Sequence, residues 1–252
     1  MFFKRKIIKK YRAKLNKLKS KYQQNLKNER NKFISILNHD IKTPILAQNQ
    51  SLEFILNSWF DDLSYEKREI IAEIYNSNKF LLEIILNSIF LTKYENENPK
   101  LNIENINIIE QIQGCCEIIK QNAKQKQQKI IIKTNKIDDI KLNADRKLIQ
   151  KIIYNILSSS VSYGFENSDI EILIKEQKDS ISFSAKNQSI FMSREKLESL
   201  FEDKKNTKDF NQLGMNLNLN IAKKLIQAHN WKIIANSNLD NSSEFGFVVK
   251  KN

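Results

Sequence analysis

Apolar residues in the first third of the chain recur at helical spacing. Tyr11, Leu15, Leu18, Tyr22 and Leu26 follow one another at steps of three and four, and Phe33 and Leu37 continue the series after a gap of seven. Such spacing keeps side chains on one helix face. No Gly or Pro interrupts it before Pro44, and the pattern persists through Ile45, Leu52 and Ile55 to end near Trp59. Asp61-Asp62-Leu63-Ser64 reads as a turn, with Ser64 as an N-cap. A second helix follows to about Tyr94, its apolar face carrying Ile71, Ile74, Leu81 and Ile85. Asn96-Glu97-Asn98-Pro99 is its stop and a linker. A single hairpin of this kind leaves a long apolar stripe exposed, whereas two of them bury it in a four-helix bundle. The pattern therefore predicts a homodimer held by residues from about 30 to 95.

From Leu101 the texture changes. A helical pattern at about 107–125 leads to a short strand, Lys129–Lys133, and a helix spans about 146–162. Ile170–Ile174 and Ser180–Ser184 alternate with period two and read as strands. A helix at about 194–202, an irregular polar stretch from Asp203 to Leu213, and a helix to His229 follow. Lys232–Ala235 and Phe245–Val249 are the last strands. The fold class expected is α+β: a helical hairpin, then a mixed sheet with helices on one face. The expected domains are 1–29, a coiled-coil-like lead helix; 30–96, the hairpin; and 101–252, the α/β sandwich.

Charge sharpens this division. The 252 residues carry a formal net charge of +13, and residues 1–32 hold thirteen Lys and Arg against the single acid Glu29. The remainder is close to neutral. A basic helix of this kind suits an anionic membrane surface, with nucleic acid the lesser reading and a solvated face the plain one. No apolar run approaches the roughly 20 residues that span a bilayer, and the start is too short for a signal peptide. A cytoplasmic location follows as the expectation, with peripheral membrane contact through residues 1–32. The two cysteines, Cys115 and Cys116, are adjacent and lack metal-ligand spacing. They read as free thiols, and no metal site is expected from them.

Candidate chemistry centres on Phe33-Ile-Ser-Ile-Leu-Asn-His39-Asp40-Ile-Lys42-Thr43-Pro44-Ile45. A carboxylate, Asp40, directly follows the imidazole. Thr43 lies four residues on, one helical turn along the same face. Pro44 has no amide hydrogen and predicts a kink just past the site. This segment resembles the phosphoacceptor box of two-component histidine kinases. The resemblance implies that His39 carries a phosphoryl group, that Asp40 accepts or orients the ring proton, and that Thr43 positions a water. Lys42 offers charge to phosphoryl oxygens.

The order of elements in 101–252 is similar to the ATP-binding domain of the same family, the fold shared with gyrase-type ATPases. Asp145-Arg-Lys-Leu-Ile-Gln-Lys-Ile-Ile-Tyr-Asn155-Ile-Leu looks like the helix that opens the nucleotide site. Leu197–Glu202 looks like the segment before the lid, and Ile221–His229 like the helix after it. The family carries two asparagines four apart, the second a magnesium ligand; here they are Asn155 and Ser159. Its Asp-x-Gly-x-Gly stretch corresponds to Asn187, Ser189 and Phe191. Its Gly-x-Gly-x-Gly stretch reads Gly214-Met-Asn216-Leu-Asn218. Asn tolerates positive φ, so Asn216 and Asn218 are the milder changes. Phe191 is expected to fill space where a base would sit, and Ser159 is a weaker ligand for magnesium. His229 is expected to be structural.

The resulting expectation is a two-component protein whose His39 exchanges phosphoryl groups with a response-regulator receiver aspartate, its own use of ATP and Mg weak or lost. The alternative is an autophosphorylating kinase with a divergent site, for which Asn155, Ser159, Asn187 and Gly214 would contact nucleotide. A third reading is a silent dimeric module that sequesters a response regulator.

Overall fold

A computed structural model describes residues 2–57, 64–94, 100–135, 139–201 and 210–251. For 2–10, 13, 37, 38, 93 and 210–216 it describes the backbone alone. The chain divides into two units, Met1–Glu95 and Asn96–Asn252.

In the first unit, helix α1 (Phe2–Ser35) leads into a π-helical turn, Ile36–Ile41, and then into α2 (Lys42–Asn57). The predicted continuous helix is therefore interrupted, and the irregularity lies before Pro44 rather than after it. Pro44 cannot donate to the carbonyl four residues back, that of Asp40, and its ring crowds that carbonyl. The ladder ahead of it widens to i→i+5 bonds, a local form that recurs at functional sites. Helix α3 (Tyr65–Lys93) begins as predicted at Ser64, whose hydroxyl accepts from the Lys67 amide at 3.5 Å. The predicted turn residues 61–63, Trp59, and the linker 96–99 lie outside the described residues. Helices α2 and α3 pack on each other through Ile45 and Ile85, which are buried. Phe54, Ile70, Ile74 and Leu81 remain exposed, as do Tyr11, Leu15, Leu18, Tyr22 and Leu26 of α1.

In the second unit, β1 (Ile103–Asn107), α4 (Ile108–Gln125), β2 (Lys129–Thr134), β3 (Lys141–Asp145) and α5 (Arg146–Tyr163) come first. Then follow β4 (Asp169–Glu176), β5 (Ser180–Gln188), α6 (Arg194–Leu200), α7 (Phe210–Ala228), β6 (Lys232–Asn238) and β7 (Ser242–Lys250). The main sheet has the order β2-β4-β5-β7-β6, with β2 parallel to β4 and the other pairs antiparallel. A parallel pair needs a crossover, and α5 lies within the connection between β2 and β4. Strands β1 and β3 form a separate antiparallel pair. The α+β expectation agrees with this architecture, helices α4, α5 and α7 all packing on the main sheet.

Strand alternation places Ile170, Ile172 and Ile174 inside, and Ile181, Phe183 and Ala185 with them. Ile149, Ile152, Ile153 and Ile156 of α5 meet them, all buried. Each fully buried side chain of this size contributes about 1.5–3 kcal/mol. Phe183, Phe247 and Trp231 form an aromatic row, with ring centroids 5.3 and 5.0 Å apart. Gly246 allows β7 to lie tight on β5, since a Cβ there would collide with the Phe183 carbonyl oxygen.

Two sequence expectations change here. Residues 210–213, read as irregular, already belong to α7, while 203–209 lie outside the described residues. Asn216 and Asn218 are helical, and positive φ falls instead at Gln127, Asn167, Asn230 and Asn241 among the described residues. The asparagines of α7 are thus not substitutes for glycine's conformational freedom.

Candidate functional site

The π-helical turn presents His39 to solvent: its side chain is 88% exposed, and that of Asp40 69%. Nδ1 of His39 lies 3.9 Å from Oδ1 of Asp40. The carboxylate therefore stands on the Nδ1 side of the ring and leaves Nε2 open. Thr43 is exposed at the start of α2, and Lys42 is half-buried beside it. The sequence placed His39, Asp40 and Thr43 on one short stretch, and all three fall within or just after the turn.

The predicted nucleotide positions sit in the second unit, and of them Asn155, Ser159, Asn187, Ser189 and Asn218 are buried. Helix α5 starts at an N-cap, Asp145, whose Oδ1 accepts from the Lys147 and Leu148 amides at 3.0 and 3.1 Å. From there the helix carries Asn155 and Ser159 inward, 1% and 0% exposed. Ser159 Oγ donates to the Asn155 carbonyl at 2.8 Å. Its hydrogen is spent on its own helix, and the shorter side chain does not reach as a carboxamide would. The position that resemblance assigns to magnesium thus offers a short, fully buried hydroxyl, a weaker ligand than a carboxamide carbonyl. Asn155 differs, because neither its Oδ1 nor its Nδ2 has a partner among the described residues. The same holds for both side-chain atoms of Asn187, which is 2% exposed at the end of β5. Ser189 Oγ is paired with Ser243 Oγ at 2.6 Å. Phe191 is 42% exposed. Gly214 lies inside α7. Asn218 Nδ2 donates to Ser158 Oγ at 3.4 Å and ties α7 to α5.

Sequence reasoning missed Gln128, Lys126 and Ser160. Gln128 Nε2 donates to the carbonyls of Val161 and Phe165, at 3.2 and 3.0 Å. Lys126 Nζ donates to the carbonyls of Val161, Ser162 and Gly164, at 3.1, 2.9 and 3.0 Å, and so closes the C-terminus of α5. Burial lowers the Lys126 pKa against the opposing pull of Glu166. No motif marks these residues, since the contacts cross 33 to 38 positions in sequence.

The remaining polar groups have structural roles. His229 Nδ1–H donates to the Leu225 carbonyl at 2.8 Å, and Nε2 accepts from the Asp145 amide at 3.2 Å. This pattern requires the neutral ring, and burial holds its pKa below the ordinary value, against the raising effects of Leu225 and Asp145. Cys115 and Cys116 are free and buried, and burial pushes both thiols up to about 11. They stay protonated, as inert cysteines do. An open cavity of about 490 Å³ lies beside α6, α7 and β6, lined by Leu197, Phe201, Lys223 and Ile233 among others. None of the predicted site residues lines it. Among the described residues no helix is long and apolar enough to cross a membrane.

Residues 144–252 match the family described as histidine kinase-, DNA gyrase B- and HSP90-like ATPase. The chain is 26% identical over 240 residues to the sensor protein KdpD of Clostridium acetobutylicum, covering 92% of this chain and 26% of that protein. It is 24% identical over 223 residues to the sensor histidine kinase WalK of Bacillus subtilis, covering 85% and 36%. The chain thus spans about a quarter to a third of the length of these curated relatives. Among solved structures it resembles full-length ShkA in complex with AMPPNP, with a TM-score of 0.66, 18% identity, and coverage of 86% of this chain and 45% of that one. It also resembles the histidine kinase ThkA in complex with the response regulator protein TrrA, with a TM-score of 0.60, 20% identity, and coverage of 92% and 66%. The chain is thus similar to sensor histidine kinases of two-component systems over most of its length, and its α/β unit has the fold of the ATPase family that residues 144–252 match.

Proposed function

We infer that this chain is a dimeric two-component protein in which His39 exchanges a phosphoryl group with an aspartate of a response-regulator receiver domain. The observation that carries the reading is the open Nε2 of an 88% exposed imidazole, with the Asp40 carboxylate 3.9 Å from Nδ1. In the transfer, Nε2 attacks phosphorus, an N–P bond forms, and the P–O bond to the receiver aspartate breaks. The leaving carboxylate keeps the electron pair. Positive charge then develops on the ring, and Asp40 stabilises it or takes the Nδ1 proton. Reversal returns the phosphoryl group to the aspartate. Thr43, one turn on, is assigned the orienting of a water that hydrolyses the receiver's aspartyl phosphate.

Three further features support this reading. Exposed Phe54, Ile70, Ile74 and Leu81 on the hairpin suit burial against a second copy. Exposed Arg12, Lys14, Lys17, Lys19 and Lys21 on α1 suit an anionic membrane surface, and vesicle binding that weakens with salt is the check. The self-bonded Ser159 argues that magnesium–ATP is handled weakly. The alternative, an autophosphorylating kinase, draws support from the unpartnered Asn155 and Asn187, which keep polar groups free for a nucleotide. Labelled ATP and a labelled phosphorylated receiver domain, offered separately, decide between them. Label appearing on His39 from the receiver alone supports the first reading. Label from ATP supports the second, and label from neither overturns both.

A further inference from the structure

None of the predicted nucleotide positions lines the cavity of about 490 Å³ in the α/β unit. Its volume falls in the range of small-molecule sites. Helix α6 and its C-cap give it Arg194, Leu197, Glu198 and Phe201, α7 gives Lys223, and β6 gives Ile233 and Ala235. Strand β6 is an edge of the main sheet. Ile233 is in register with Phe247, which is fully buried, so both point to the face that the helices cover. Ile233 is nevertheless 38% exposed, because no strand follows β6 and the cavity opens beside it.

The lining has two chemistries. Leu197, Phe201, Ile233 and Ala235 make an apolar wall. Three charged groups stand with it. Arg194 Nε donates to Glu198 Oε1 at 3.0 Å, so these two neutralise each other one helical turn apart. Lys223 differs. It is half-buried, and no ion pair or hydrogen bond among the described residues engages its ammonium. The cavity thus offers apolar surface beside one uncompensated positive charge. Covering such surface is favourable in proportion to the area removed from water, and a carboxylate on an ammonium makes one of the stronger hydrogen bonds.

We propose that this cavity binds an amphipathic monocarboxylic acid, with its hydrocarbon against Leu197, Phe201, Ile233 and Ala235 and its carboxylate on Lys223 Nζ. The lining disfavours other classes. A cation meets the Lys223 ammonium. A neutral apolar molecule leaves that ammonium half-buried and unpaired, which is costly. A doubly charged headgroup brings one charge more than the rim matches. A ligand held in this way joins α6 to α7 and β6, so occupancy raises the stability of the α/β unit. The inference rests on these three elements alone and is independent of phosphoryl transfer at His39.

Calorimetry and thermal unfolding of the whole chain, with octanoate, 1-octanol and octyl phosphate as probes, test it. Octanoate is expected to bind at one saturable site and to raise the thermal midpoint. Octanol should bind about tenfold more weakly, the worth of one hydrogen bond to a charged group. Lys223→Gln should bring octanoate down to the affinity of octanol and leave octanol unchanged. Ala235→Leu, checked by circular dichroism for an intact fold, should abolish binding of both by filling the cavity. Absence of saturable octanoate binding overturns the proposal. Equal binding of octanoate and octanol by the unaltered chain, tighter binding of octyl phosphate than of octanoate, or octanoate binding undiminished by Lys223→Gln overturns it as well. None of these outcomes bears on transfer at His39.

Discussion

The hairpin keeps its chemistry outside, and the α/β unit keeps its own inside. His39 and Asp40 are 88% and 69% exposed, whereas Asn155, Ser159 and Asn187 are 1%, 0% and 2% exposed. An exposed polar side chain answers only to the partner that meets it, whatever happens elsewhere in the fold. A buried polar residue answers to its neighbours first. Ser159 shows how such a position settles: its hydroxyl closes on the Asn155 carbonyl of its own helix. Local hydrogen bonds and the packing of the fold are therefore compatible with a changed polar residue inside the α/β unit.

The largest expected effect breaks the exposed half. His39→Gln removes the nucleophile, and label transfer from a phosphorylated receiver should fall below detection while helix content stays intact, Gln being a good helix former. Next comes the core of the buried half. Phe247→Ala removes the centre of the aromatic row, and urea unfolding should report a loss of about 3–5 kcal/mol, with acceptance of phosphate by His39 unaffected. Thr43→Ala separates two activities within the turn. Transfer to His39 should persist, while dephosphorylation of the receiver slows by about one to three orders of magnitude. The smallest effect is on pH. The folded-state pKa of His229 is lowered by burial, so the unfolded chain takes up the proton first as pH falls. The stabilising contribution of the neutral ring is complete above the unfolded value of about 6.5 and declines below it. Thermal midpoints should drop from pH 7 to pH 5.5, and His229→Gln should flatten that slope.

Most of the fold was legible because its elements carry strong periods. The hairpin, α4, α5 and the alternating β4 and β5 all follow from apolar spacing. Strands β1 and β3 were missed: Ile103-Glu-Asn-Ile-Asn107 and Lys141-Leu-Asn-Ala-Asp145 are short, half polar and paired only with each other, so they show almost no hydrophobic alternation. The start of α7 was missed because Phe210-Asn-Gln-Leu-Gly214 reads as loop by composition. The histidine box was legible as a local pattern. The contacts of Lys126 and Gln128 with the end of α5 were not, since they cross 33 to 38 positions and belong to no periodic apolar set.

The π-helical turn also sets a rotation. At about 100° per residue, Tyr11, Leu15, Leu18, Tyr22, Leu26 and Phe33 fall within an arc of about 80° on α1. Counted along an unbroken α-helix, the inward face of α2, from Ile45 to Leu56, would point about 130° away from that arc. Ring closure at i→i+5 admits one extra residue into the turn and winds everything after it back by about 100°. The two faces then agree to within about 30°. The six residues of the turn that holds His39 thus also act as the phase adjuster between α1 and α2, keeping one apolar seam running from the basic lead helix into the hairpin.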